Sequence, residues 1–233
     1  MTTISYTATT DDCYGTTQPG FDKTGATLYI GNTSASDYPA KAWIPFTVTV
    51  NNATQITSAT LKMRAESNRT GSVIVIVGCE DADNPSVPAN WGGLDGRTMT
   101  TAHTDHTPAA WTSGTEYTVD VTTAVQEVLD RVGWVSGQTL AILIIDNGST
   151  ANLVRGIASS EHATIAESIL EIVYDEGSYL DYTLAGFNLT NPTYDELPEL
   201  IYRQKDYVLS FEKKKYELFY KAKDYILNFK KRS

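Results

Sequence analysis

The chain has 233 residues and a formal net charge of −10, enough length for one β-sandwich with an appendage or for two small domains. That charge is divided: residues 1–194 carry eight Lys/Arg against twenty-one Asp/Glu, whereas residues 195–233 carry ten against seven. An acidic body disfavours nucleic acid and anionic membranes, because phosphate recognition needs clustered Lys and Arg. The longest apolar run, Leu140–Ile145, is far too short to span a bilayer.

No charged-then-apolar segment precedes Ile4, so no secretory signal is expected and synthesis in a cytoplasm is. Residues 1–174 read as β: Thr is abundant, apolar runs are short, and Gly, Asn, Asp and Pro punctuate them. The expected strands are Ile4–Thr9, Thr27–Gly31, Ala42–Val50, Ile56–Glu66, Ser72–Glu80, Glu116–Val121, Thr139–Asp146, Leu153–Ala158 and Ser168–Tyr174. Thr47–Val50 and Thr60–Arg64 alternate as strands with one wet face should. Val73–Val77 and Leu140–Ile145 are continuously apolar, which predicts cover on both faces. Mostly short connections between about nine strands favour an antiparallel jelly-roll sandwich. Cys13 and Cys79 have no CxxC or His partner pattern, so buried free thiols are expected over a disulfide.

Between the strands, Asp81–Gly114 has little periodicity and reads as a long functional loop. One helix interrupts the body: Thr123 with Gln126 forms a capping-box pattern, Val125, Val128, Leu129 and Val132 fall at helical spacing, and Gly133 is the expected stop. A linker follows over 175–193, and a long helix is predicted over 194–233, because Glu199–Ser233 contains neither Gly nor Pro.

Within that helix one phrase recurs: Lys205–Phe211 and Lys223–Phe229 begin 18 residues apart, about five helical turns or ~27 Å. On a helical wheel a broad face holds Leu197, Leu200, Ile201, Val208, Phe211, Leu218, Phe219, Ala222, Ile226 and Phe229. A narrower face holds Tyr202, Leu209, Tyr216, Tyr220 and Leu227. Two apolar faces call for two neighbours, sister copies or other proteins of an assembly, in preference to the alternative of a helix packed back on its own sandwich.

Residues that could carry chemistry are sparse. His103 and His106 share one stretch, but a metal centre needs three or four converging ligands, and no Gly-x-Ser-x-Gly elbow is present. No catalytic residue, metal centre or cofactor is expected, with one alternative left open. That alternative is a structural calcium held by acids such as Asp11 and Asp12 with Asp120 or Glu161, since hard cations take clustered carboxylates and carbonyls. Trp91 and Trp111 flank the long loop and are read either as core or as a sugar-stacking platform, whereas Trp134 is read as core.

The β region resembles the DNRLRE-type sandwich domain over nearly all of positions 6–174. The matching blocks are Tyr6–Tyr14 with its Asp11–Asp12 turn, Ala42–Phe46, Ile56–Leu61, Asp120–Val125, Gly133–Gly137 with Leu140–Ile142, Ala158–Glu161 and Leu170–Tyr174. Their order and spacing carry the resemblance. It implies a jelly roll of the kind found in secreted carbohydrate-active proteins and in phage virion proteins. Two features depart from the family: no export signal is read, and the basic C-terminal segment lies outside its pattern. The function implied is a non-catalytic virion component, a capsid decoration or head or tail fibre-like protein, located in the virion. Its sandwich would be displayed, and its C-terminal helix would bind other virion proteins or sister copies. The alternative is a carbohydrate-binding module for a cell-surface or environmental polysaccharide.

Overall fold

The computed structural model describes residues 1–17, 20–34, 36–175, 216–220 and 227–231. In chain order its elements are β1 Thr2–Thr7, β2 Cys13–Thr16, β3 Gly20–Asp22, β4 Thr27–Gly31, β5 Ala40–Val48, β6 Ile56–Arg64 and β7 Val75–Glu80. There follow α1 Trp91–Asp95, β8 Met99–His106, β9 Glu116–Asp120, α2 Thr122–Leu129, β10 Gln138–Asp146, β11 Val154–Ala158, β12 Ile169–Tyr174, β13 Tyr216–Tyr220 and β14 Leu227–Lys231. The chain divides into two compact units, Met1–Tyr179 and Leu180–Ser233.

The first unit is mainly β and antiparallel. One sheet runs β1-β12-β6-β9, a second β3-β2-β5-β10-β7-β8, and β11 pairs with β4. Their facing sides share one core: Tyr6, Leu61 and Ile172 from the first sheet meet Ile44, Phe46, Val77 and Ile142 from the second. Each such side chain, removed from water, contributes roughly 1.5–3 kcal/mol.

The pairing explains the sequence pattern strand by strand. β10 lies between β5 and β7, Leu143 opposite both Trp43 and Gly78, so neither backbone edge meets solvent. Leu140, Ile142 and Ile144 enter the shared core, while Ala141 and Leu143 enter a second cluster on the outer side with Cys13, Trp43 and Leu94. Both faces of β10 are therefore covered, as its continuous apolar run required. The Val73–Val77 run differs. Val73, Val75 and Val77 are buried, but Ile74 and Ile76 are only half-buried, so the outer face here has partial cover.

Three expectations are corrected. The stretch 81–114 is not one loop, because it holds α1 and the eight-residue β8. β8 reads Met-Thr-Thr-Ala-His-Thr-Asp-His, a strand built on Thr alternation with few apolar residues to mark it. The capping box does not form: the N-terminal residue of α2 is Val121, without a side-chain cap, and Gln126 instead bonds the Thr54 carbonyl and the Ile56 amide. The helix also ends at Leu129, short of Gly133, with its last turn closed onto Asp130.

The helix expected over 194–233 lies mostly outside the described residues, as does the linker. The described parts of that stretch are extended: β13 pairs antiparallel with β14, Tyr216 opposite Lys231 and Tyr220 opposite Leu227. Tyr, Phe and Leu in short runs serve strand and helix alike, so periodicity does not separate the two there.

Candidate functional site: a cleft over the six-stranded sheet

The outer side of the six-stranded sheet would be an exposed apolar surface if the chain did not return over it. Residues 81–97 make that return, placing Leu94, Val87 and Trp91 on Trp43 and Leu143. The Trp91 indole lies directly over Gly15, where a Cβ would come within 2.4 Å of its ring. A glycine at 15 is what lets the tryptophan pack down.

The return is pinned by polar contacts. Glu80, 4% exposed, accepts from Trp43 Nε1 at 2.6 Å and from Arg97 Nη1 at 2.5 Å. Arg97 also donates to the carbonyls of Ser86 at 2.7 Å and Gly93 at 3.0 Å. Asn84 sits in the left-handed region at φ +48°, and its side-chain oxygen accepts from the Thr139 amide of β10 at 2.9 Å. Asn tolerates that conformation better than most residues.

Between the sheet and this pinned segment lies a cleft of about 320 Å³, lined by Thr9, Asp11, Trp43, Pro45, Asn84, Pro85, Ser86, Val87 and Thr139. Its walls mix two proline rings and a valine with hydroxyls and an amide, and its one lining carboxylate is Asp11. Its single aromatic lining residue, Trp43, is 1% exposed, so the open part of the cleft offers short apolar side chains beside hydroxyls. A second, open depression of about 450 Å³ lies over α2, lined by Thr123, Gln126, Glu127, Asp130 and Arg131. Its polar groups already serve the fold: Glu127 takes the Thr101 and Ala102 amides, and Arg131 pairs with Asp81 and Asp83.

The residues singled out from sequence fall in different places. Trp111 is 2% exposed and stacks on Tyr117 with ring centres 4.9 Å apart, so no ring face is open. Trp91 is half-buried over Gly15, and Trp134 is core, donating to the Val50 carbonyl. His103 and His106 stand three apart on β8 and so point to opposite faces. His103 Nδ1 lies 3.0 Å from the Thr101 carbonyl, and burial lowers the pKa of His106. His162 accepts the Thr164 and Ile165 amides in a tight turn. Among the described residues no group of three or more His, Cys, Asp or Glu converges as metal ligands do. Cys13 and Cys79 are free and buried, one in the outer cluster and one in the inner core, so the six-stranded sheet separates them.

Of the four acids considered for calcium, Asp12 and Glu161 come together. Asp12, 1% exposed, accepts from the Ser160 amide at 2.9 Å and from its hydroxyl at 3.2 Å. Burial above all, and the neighbouring Glu161 in addition, push its carboxyl up to about 7 against the counteracting Ser160 amide. Asp120 stands apart at the start of α2, where its Oδ1 takes the Thr122 amide and hydroxyl. Asp11 lines the cleft.

Pro45, Asn84, Ser86, Thr139 and the Glu80–Arg97 pair escaped the sequence reading. Each belongs to an ordinary strand or turn pattern, and only the return of 81–97 over the sheet brings them together. No family model matches the chain, and no curated protein matches it in sequence.

Proposed function

We propose that this chain is a non-catalytic structural or accessory virion protein whose β-sandwich, of jelly-roll type and DNRLRE-like, is displayed while its C-terminal segment mediates assembly. The observation that carries the reading is the coincidence of two seams. The chain divides into units at 179/180, and its charge reverses sign across the same region, from net negative over 1–194 to net positive over 195–233. A basic, aromatic-rich segment joined to an acidic body suits docking onto an acidic partner, with Lys213–Lys215 and Lys230–Arg232 steering the encounter. The family-like blocks over 6–174 resemble a domain of secreted carbohydrate-active and of phage virion proteins, and the virion setting is the one proposed here for a body that carries a basic appended segment.

Deleting 195–233 is expected to leave a body that unfolds cooperatively, with the deleted protein absent from assembled particles. Incorporation of the truncated chain at full-length levels overturns the proposal.

The cleft favours a second reading, a carbohydrate-binding module. On that reading a glycan array shows saturable binding to a neutral polysaccharide, and Asp11→Ala weakens it by about tenfold, the loss of one charge-assisted hydrogen bond. A flat array for the wild-type chain removes this reading.

A further inference from the structure

The edges of the two large sheets are treated unequally. In the six-stranded sheet, β8 has its outward amides at Thr101 and Ala102 closed by the Glu127 carboxylate at 2.9 and 2.8 Å. At the opposite edge β3 is only three residues long and ends in Asp22. In the four-stranded sheet, β9 carries Glu116 and Asp120, and the Asp120 carbonyl is taken by the Thr104 hydroxyl at 2.6 Å. These are the ordinary devices that keep an edge from recruiting another strand. β1 has none of them. Its six residues, Thr-Thr-Ile-Ser-Tyr-Thr, include no charge and no proline, and among the described residues the strand pairs on one side only, with β12.

The ladder tells which groups are open. The Ala8 amide donates to the Ser168 carbonyl, continuing the β1–β12 pairing, so the even-numbered residues exchange hydrogen bonds with β12. Thr3, Ser5 and Thr7 therefore turn their amides and carbonyls away from the sheet. Just beyond them the Thr9 amide, on that same outward side, finds the Pro45 carbonyl at 3.0 Å. Among the described residues nothing takes the other three, and the side chains of Thr3, Ser5 and Thr7 are exposed.

We propose that β1 is a self-association edge, pairing antiparallel with β1 of a second copy about a two-fold axis at Ser5, so that two four-stranded sheets join into one. The strand is self-complementary in that register. Ser5 meets Ser5, Thr3 meets Thr7, and Ile4 meets Tyr6. All three outward donors and all three outward acceptors of each copy are satisfied together. Thr–Thr and aromatic–aliphatic cross-strand pairs are favourable ones. The electrostatics select a like partner too. In a chain of net charge −10, β1 is an uncharged edge where two copies meet without placing like charges opposite each other.

Sedimentation velocity over a concentration series of the full chain, with amide exchange read residue by residue, tests this. The expected result is reversible dimerisation and concentration-dependent protection of the Thr3, Ser5 and Thr7 amides. Ser5→Pro removes an outward amide without touching the β12 ladder, and Ser5→Lys sets two cations face to face. Each is expected to weaken the dimer by about tenfold or more, through loss of the central hydrogen bonds or by charge repulsion, with an unchanged melting transition at concentrations low enough for both chains to be monomeric. Because position 5 is solvent-exposed, the lysine variant keeps the test valid even where proline disturbs the strand. A strictly monomeric chain overturns the proposal. So does association undiminished in either folded variant, or protection of the three amides independent of concentration, which would mark an occupant from the same chain.

Discussion

Replacing Arg155 by methionine is expected to destabilise the body by about 3–5 kcal/mol, lowering its Tm by about 10–15 °C. Arg155 sits in β11 with no exposure to solvent, and five backbone carbonyls share its guanidinium. Nη2 donates to Gly71 at 2.7 Å, to Ala109 at 3.1 Å and to Pro108 at 3.2 Å. Nη1 donates to Thr70 and Val154, and Nε to Ala109, all at 3.2 Å. Burial lowers its pKa, and no ion pair to it is found among the described residues. The charge is therefore solvated by carbonyl dipoles, four of the five gathered from two loops and the fifth from Val154 of β11 itself. Those loops flank the Arg69–Trp111 bridge, so the same guanidinium holds Trp111 in the core. Methionine fills much of the volume of the arginine stem but donates nothing, so all five carbonyls lose their guanidinium donor, that of buried Pro108 with the least access to water. Lysine restores the charge with fewer donors and without the planar fork, so Arg155→Lys is expected to fall between. Urea unfolding followed by tryptophan fluorescence measures both. A loss below about 1 kcal/mol for the methionine variant would refute the role assigned to the carbonyl cage.

Asp12→Asn is expected to stabilise the protein above pH 7 by about 2–4 kcal/mol and to leave it unchanged near pH 4. Burial raises the folded-state carboxyl from 3.8 to about 7, so between those values the folded protein holds a proton that the unfolded chain has released. Stability then falls as pH rises through this window and stays low above it. Asparagine mimics the protonated acid, accepting from the Ser160 amide without carrying a charge beside Glu161. Melting curves of both proteins from pH 4 to pH 8 should start together and diverge upward in pH. Parallel curves across that range would show that Asp12 is ionised in the folded protein at every pH tested.

Much of the fold was legible along the chain. Strands such as β4, β6, β10 and β12 announce themselves through alternation or continuous apolar runs, because each buries one face or both against a neighbour. β8 did not, since its half-exposed Thr and His residues carry almost no apolar signal, and β2 and β3 are too short for periodicity to register. The capping-box pattern at Thr123–Gln126 misled for a related reason. A local motif competes with tertiary partners, and here Gln126 reaches Thr54 and Ile56 on the preceding strand connection.

The candidate cleft shows the limit more sharply. Asp11, Pro45, Asn84 and Thr139 are spread over 129 positions of sequence, and each looks like an ordinary turn or strand residue. They become a site only because 81–97 folds back over the outer face and is locked there by Glu80 and Arg97. What the sequence alone determined was the β class of the body, its acidic charge and the charge reversal toward residue 233, all of which follow from composition and short-range pattern. The tertiary structure decided which faces are covered, which acids meet, that a buried arginine is solvated by carbonyls, and that β1 keeps an open edge among the described residues. Those outcomes depend on contacts between residues far apart in the chain, and no local propensity encodes them.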